Sequence, residues 1–261
     1  MPVTADDIVS RFRVDGRVAL VTGAGRGIGR SVALALAQAG AEVWLVARTQ
    51  HEIDSAAGDI RAAGGRAQTA VCDVTNTAAV KRIFAAIPAL DILVNNAGMN
   101  IPEPFVEVSE EHLDRVLNLN VKAAFVVAQA GAKKMLEAAD RTARGGAIVN
   151  ISSQMGHVGA VNRSVYCMTK HALEGLSKAA ALELAPRNIR VNSVAATFVD
   201  TPMTAPMFAQ PEFSKWVHDR IPLGRLGRLD EIVSAGLFAA SPASSLMTGA
   251  SLVIDGGWTA Q

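Results

Sequence analysis

Cysteine, aromatic residues and net charge are all scarce in this chain of 261 residues, and each scarcity removes a class of function. The two cysteines, Cys72 and Cys167, stand far apart in sequence. They predict reduced, buried thiols and a cytoplasmic setting rather than a disulfide scaffold. The formal net charge is +1, with no basic run and no aromatics interleaved among cations. A nucleic-acid or anionic-membrane partner is therefore not expected. No apolar run approaches the ~20 residues that span a bilayer, and the alanine-rich stretch from Ala123 to Ala132 is too short. The opening Met1-Pro-Val-Thr-Ala-Asp-Asp7 has neither a basic nor an apolar region, so no signal peptide is expected. No Cys, His or carboxylate cluster has metal-ligand spacing, so no metal is expected.

What is present is aliphatic. Half of the residues are hydrophobic and only 5% aromatic, with alanine, valine and leucine dominant, which suits helices packed closely on a sheet. The length fits one large α/β domain or two small ones, and no shift of composition marks a boundary, so a single domain over 1–261 is expected. Strand-like runs fall at Val18–Thr22, Glu42–Ala47, Arg66–Val71, Asp91–Asn95, Ala147–Ile151, Ile189–Val194 and Ser251–Ile254. Helical patterns lie between them near 28–39, 50–63, 76–87, 109–138, 164–185 and 229–240. This alternation predicts a doubly wound α/β fold: about seven parallel strands, helices on both faces and right-handed crossovers. Thr142-Ala-Arg-Gly-Gly146 is expected to be a short loop. The stretch at about 195–229, with prolines at 202, 206, 211 and 222, is too long for a simple connection. A lid or substrate loop over a site is the expectation.

Two motifs carry chemistry. After the first strand comes Gly23-Ala-Gly-Arg-Gly-Ile-Gly29, leading into a helix. Glycines allow the sharp bend and the close approach of a diphosphate, and the helix start offers free N–H groups and a positive dipole end. The second is Tyr166-Cys-Met-Thr-Lys170, with Ser153 thirteen residues upstream of the tyrosine. Residues i and i+4 share a helical face. The ammonium of Lys170 is therefore expected to favour the phenolate of Tyr166, whose free pKa is near ~10.

Together these segments resemble the short-chain dehydrogenase/reductase family over nearly the whole chain. Thr22-Gly-Ala-Gly-Arg-Gly-Ile-Gly29 looks like its cofactor turn and Asn95-Asn-Ala-Gly98 like its fourth-strand motif. Asn118-Leu-Asn-Val121, Asn150-Ile-Ser-Ser153 and Tyr166-Cys-Met-Thr-Lys170 are similar to its helix and catalytic motifs. Ile189-Arg-Val-Asn-Ser193 and Ile254-Asp-Gly-Gly257 resemble its last two strands. The resemblance implies a Rossmann fold and hydride transfer between a nicotinamide and a carbonyl/secondary alcohol pair. Tyr166 would be the acid or base, Lys170 its tuner, Ser153 the donor to the substrate oxygen, and Asn120 the holder of a relay water. Ser152 and Asn118 compete for the last two roles. The cofactor would be lined by Gly23, Gly25, Arg26, Gly27, Ile28, Gly29, Arg48, Asp73, Val74, Asn95, Ala97, Gly98, Val199 and Thr201, besides Tyr166 and Lys170.

The second strand ends Val46-Ala47-Arg48, with no acid to meet a ribose 2′-hydroxyl, and Arg26 adds a second cation. Guanidinium groups match phosphate, so NADP(H) is favoured, with NAD(H) the alternative. After the sixth strand this chain has Ala196-Thr197 where relatives commonly have Pro-Gly. Met99, Asn100, Gln154, His157, Asn162, Arg163, Phe198 and Met203 are candidates to line a substrate pocket. Their polarity suits a sugar, sugar acid or other small polar carbonyl. A 3-oxoacyl-[acyl-carrier-protein] reductase is the alternative, and a non-catalytic nucleotide-sensing or scaffold protein is an alternative of another class. The resemblance further implies a homotetramer, or a homodimer, built on the two long helices and the last strand.

Overall fold

Runs that are apolar at every position can be buried on both faces, and these form the centre of the sheet. The structure, a computed structural model, describes residues 5–200, 204 and 208–261. Its strands are β1 Val18–Thr22, β2 Glu42–Ala47, β3 Arg66–Val71, β4 Ile92–Asn95, β5 Gly146–Ser153, β6 Ile189–Ala196 and β7 Ser251–Ile254. They form one parallel sheet in the order β3-β2-β1-β4-β5-β6-β7. The chain leaves β1 in one direction and returns to its other side at β4. Loops from β1 and β4 therefore diverge and open a crevice at the strands' carboxyl ends.

The helices are α1 Ala5–Ser10, α2 Gly27–Gln38, α3 Gln50–Ala62, α4 Thr77–Ala86, α5 Glu110–Leu117, α6 Ala124–Leu136, α7 Arg141–Arg144, α8 Ser164–Leu184, α9 Pro211–His218 and α10 Leu229–Ala240. Alternate residues of each central strand feed opposite layers. Ala19, Val21 and Val94 pack with Val32 and Leu36 of α2, Ile53 of α3 and Ile232 of α10. Leu20, Leu93 and Ile148 pack with Phe84 of α4, Val127 and Met135 of α6 and Ala181 of α8. Each such aliphatic side chain contributes on the order of 1.5–3 kcal/mol when fully buried.

The structure departs from the sequence reading at four places. The pattern at 109–138 is one axis in three pieces: α5, a π-helical stretch over Asn118–Ala123, and α6. The segment expected to be a loop at 142–146 is the short helix α7 followed directly by β5. β5 extends through Ser153 and β6 through Ala196, because the two strands remain paired residue for residue to Ser153↔Ala196. The excursion holds α9, and a lone bridge joins Val199 to Gly227. Its aromatic side chains supply what the prolines concealed. Phe198 packs edge-on to Phe208 and Phe213, with centroids 5.9 and 5.7 Å away, and Trp216 meets Trp258 at 5.4 Å.

At the opposite, amino end of the sheet lies an ionic cluster. Asp91 is buried just before β4 and accepts from the Val18 N–H at 3.0 Å. Arg144 reaches its carboxylate through two nitrogens at 2.7 and 2.8 Å, and Arg141 through one at 3.2 Å. Burial alone would raise the Asp91 pKa, but the arginines and the backbone bond hold it below the ordinary carboxylate value. Arg141 itself is 1% exposed and also donates to the carbonyls of Met135 and Leu90.

Candidate active site

The turn after β1 is shaped by backbone that only glycine adopts easily. Gly23 has φ +64°, and a Cβ on Gly29 would overlap the Gly23 carbonyl. Asn96 fastens this turn to the end of β4 by donating from Nδ2 to the carbonyls of Thr22 at 2.9 Å and Gly23 at 3.2 Å. In return Thr22 Oγ1 accepts from the N–H groups of Asn96 and Ala97, at 3.0 and 3.1 Å. Arg26, the cap of α2, makes no side-chain capping bond, and nothing lies within 4 Å of a Cβ built on Gly27. An uncapped helix start beside open space is the arrangement a diphosphate requires.

Arg48 is exposed at the end of β2, and its charge reaches Asp73. Asp73 accepts from the Thr75 N–H at 2.9 Å and hydroxyl at 2.8 Å. Partial burial pushes its pKa up, but these bonds and Arg48 leave it lowered overall. Val74 is buried behind it. Arg26 is exposed, 4.0 Å from Glu52 of α3. The Asn95 amide faces inward, donating to the Ala124 carbonyl at 2.8 Å and to Asn150 at 3.3 Å. A cofactor contact at Asn95 is therefore left to its backbone. Val199 is buried beside the bridge to Gly227, and Thr201 and Met203 lie outside the described residues.

The expected catalytic residues converge from three elements. Ser153 ends β5, Tyr166 and Lys170 lie on the first turns of α8, and Asn120 projects from the π-helical stretch. The Ser153 hydroxyl accepts from the Met155 N–H at 3.2 Å and lies near enough to the Tyr166 phenol to lower its pKa. Strand alternation sends Ser152 to the other face, where its buried hydroxyl finds no partner among the described residues. Lys170 is buried, donates to the Ile151 carbonyl at 2.8 Å and lies 5.5 Å from the Tyr166 ring centre. Asn118 is exposed, whereas Asn120 is buried. Asn120 Nδ2 donates to the Met99 carbonyl at 2.8 Å and Thr169 Oγ1 at 3.1 Å, and Oδ1 accepts from the Met99 N–H at 2.9 Å. Asn120 Oδ1 and Lys170 Nζ stand 3.4 and 3.9 Å from where a Cβ on Gly98 would be. Gly98 thus keeps the space between them clear.

The protonation balance differs from the sequence expectation. Burial pushes the Tyr166 phenol up to about 12, and Ser153 opposes this only in part. Burial also brings Lys170 down to about 8, with the nearby Glu174 carboxylate opposing. In the protein without ligand, desolvation therefore outweighs the attraction between ammonium and phenolate. Tyr166 is therefore held as the neutral phenol at neutral pH.

A family model described as enoyl-(acyl carrier protein) reductase matches residues 23–259. The L-xylulose reductase of Bos taurus is 42% identical over 251 residues, covering 95% of this chain and 99% of that protein. The chain is a short-chain dehydrogenase/reductase. It is thus an NAD(P)-dependent oxidoreductase that moves a hydride between a nicotinamide and a carbonyl/secondary alcohol pair. The gluconate 5-dehydrogenase of Gluconobacter oxydans is 40% identical over 253 residues, covering 95% of this chain and 96% of that one. A gluconate 5-dehydrogenase from Burkholderia cenocepacia J2315, solved with NADP and tartrate, superposes with TM-score 0.90 at 35% identity, covering 97% of this chain and 99% of that one.

In this short-chain dehydrogenase/reductase a cavity of about 520 Å³ lies between the site and the excursion. Asn162 and Arg163 at the start of α8, Pro102, Phe198, and Phe213 and Trp216 of α9 line it. Several residues of the site were not singled out in the sequence. Thr22 and Asn96 hold the turn, and Thr169 sits inside the Tyr-to-Lys spacer where it supports Asn120. Glu174 lies one turn beyond Lys170, accepts from Ser193 at 2.6 Å and stands 3.6 Å from His157. Thr22, Asn96 and Thr169 lie inside the sequence motifs themselves, whereas Glu174 lies outside them. Among the described residues no helix is long and apolar enough to cross a membrane, and no three His, Cys, Asp or Glu side chains form a group able to hold a metal.

Proposed function

We propose that the protein is an NADP(H)-dependent reductase or dehydrogenase of small hydroxylated carbonyls, sugars or sugar acids, working through Ser153, Tyr166, Lys170 and Asn120. The observation that carries this reading is the meeting of those four side chains near a largely apolar cavity whose wall also carries Asn162, Arg163, Gln210 and Glu212. NADPH, held by the glycine turn, would supply the hydride for reduction of the carbonyl carbon. Tyr166 gives its phenolic proton to the carbonyl oxygen, and Ser153 donates a hydrogen bond where negative charge grows on that oxygen. Lys170 then reprotonates the phenol by way of water held near Asn120 Oδ1, over Gly98. Asn120 also positions Met99 and Thr169.

The sugar class is supported by the relatives named as L-xylulose reductase and gluconate 5-dehydrogenase. Arg26 and Arg48, exposed beside the glycine turn, support a ribose 2′-phosphate. We assign the whole of 1–261 to one catalytic domain, with 195–229 as the roof of its substrate cavity. We also propose a cytoplasmic homotetramer. Phe125 on α6, Met168 and Leu182 on α8 and Val253 on β7 are apolar and exposed, as subunit contacts along those elements would require.

Tyr166→Phe tests the proton role. Turnover of ketoses with NADPH falls by about a thousandfold or more, while NADPH affinity by fluorescence titration stays within a few-fold. Appreciable residual turnover removes the role. Arg48→Asp tests the cofactor assignment through the ratio of dissociation constants for NADP and NAD. A wild type that binds both equally, or a variant with an unaltered ratio, defeats it.

A further inference from the structure

Arg163 is a charged side chain almost wholly withdrawn from water, at 7% exposure, and it forms no ion pair among the described residues. It precedes α8 directly, because Asn162 takes the left-handed conformation, φ +58°, that a residue other than glycine adopts only with strain. Its one hydrogen bond to protein among the described residues runs from Nη1 to the Asn162 carbonyl at 3.0 Å. A guanidinium has five N–H donors, and the side chain forms part of the cavity wall. Nearby acids do not answer it. The Glu103 backbone N–H bonds the Asn162 carbonyl, but its carboxylate turns to His112 at 2.7 Å. Glu212, on α9 across the same cavity, is exposed and makes no ion pair among the described residues. Desolvation lowers the Arg163 pKa, the mark of a cation whose charge is not balanced locally. A buried charge is costly unless paired, so the site calls for an anion from outside.

Position limits what that anion is. Arg163 lies three residues before Tyr166, one helical turn away, and its charge bears on the phenol. A molecule touching both must carry an anionic group a few bonds from its reacting carbonyl. We propose that Arg163 is the substrate's carboxylate anchor, so that the preferred substrates are keto-aldonates and aldonates rather than neutral ketoses and polyols. The planar fork of the guanidinium suits a carboxylate held through two parallel bonds. This deepens the function proposed above and rests on it for the place of the reacting carbonyl.

Gluconate and glucitol differ at one end, carboxylate against hydroxymethyl, and make a matched pair of probes. Calorimetric titration of the protein saturated with NADPH, which cannot oxidise either probe, gives an affinity ratio for the two. The ratio is expected to be about tenfold or more in favour of gluconate, as a charge-assisted pair should produce. In Arg163→Gln it falls to near one, and in Arg163→Lys it is intermediate. A role in folding alone would weaken both ligands and leave the ratio where it was. A wild-type ratio near one, or a full ratio kept in Arg163→Gln, overturns the anchor. Should Arg163→Gln fail to fold, Arg163→Lys and the salt dependence of wild-type gluconate binding decide the matter, since only an ionic anchor is weakened by salt. The proton machinery is checked separately with a small uncharged diketone. Tyr166-dependent reduction of that compound without a gluconate preference sinks the anchor and leaves the reductase standing.

Discussion

Tyr166 is the only tyrosine in the chain, which makes its ionisation directly visible. Tyrosinate absorbance after rapid pH jumps reports this one phenol against a background of tryptophan. The expected midpoint in the protein without cofactor is about 12. A midpoint at or below the free value of ~10 would mean that the ammonium, not burial, governs the group. The sign has a consequence for stability. Because the folded state holds this proton more tightly than the unfolded chain, the contribution is complete below the free pKa and disappears as pH rises from there through about 12. The Tyr-to-Lys pairing was legible in the sequence because it depends on helical spacing alone. The direction of the pKa shift was not, because burial depends on what α8 packs against, and that is decided by residues far away in the chain.

At the scale of elements, the interruption between α5 and α6 has the clearest functional content. A π-helical turn inside an α-helix costs hydrogen-bond geometry and recurs at functional sites. Here it turns Asn120 inward to hold both backbone polar groups of Met99, while Asn118 faces water. Asn120→Ala leaves those groups without partners, with an expected stability loss of about 1–3 kcal/mol in urea unfolding. Turnover should fall by more than the affinity for NADPH, since the glycine turn is untouched. Equal losses in both would relocate the residue's importance to cofactor binding. The strands were readable almost to the residue, since a fully buried parallel strand is a continuous apolar run bounded by turn residues. The π-helical stretch was not, because a few residues inserted into a helix barely disturb its periodicity. α9 was hidden for a different reason. The prolines at 202, 206, 211 and 222 suggested a loop, although Pro211 stands at the first turn of α9, where a proline is tolerated.

Across the whole molecule, the two ends of the sheet serve different purposes. The amino end holds Asp91 with Arg141 and Arg144, while the carboxyl ends carry Ser153, the glycine turn and the cavity. Asp91→Ala strands the buried Arg141 charge, with an expected loss of about 3–5 kcal/mol. Measured below its lowered melting temperature, the variant should keep wild-type Michaelis constants. A changed Michaelis constant at equal foldedness would show that strain crosses the sheet. Because the cavity is roofed by α9 and its aromatic neighbours, and not by any strand, acceptance of new molecules and endurance of the scaffold are separable traits. Libraries confined to residues 208–218 could redirect what the enzyme converts while the far rim, untouched, goes on setting the temperature it survives.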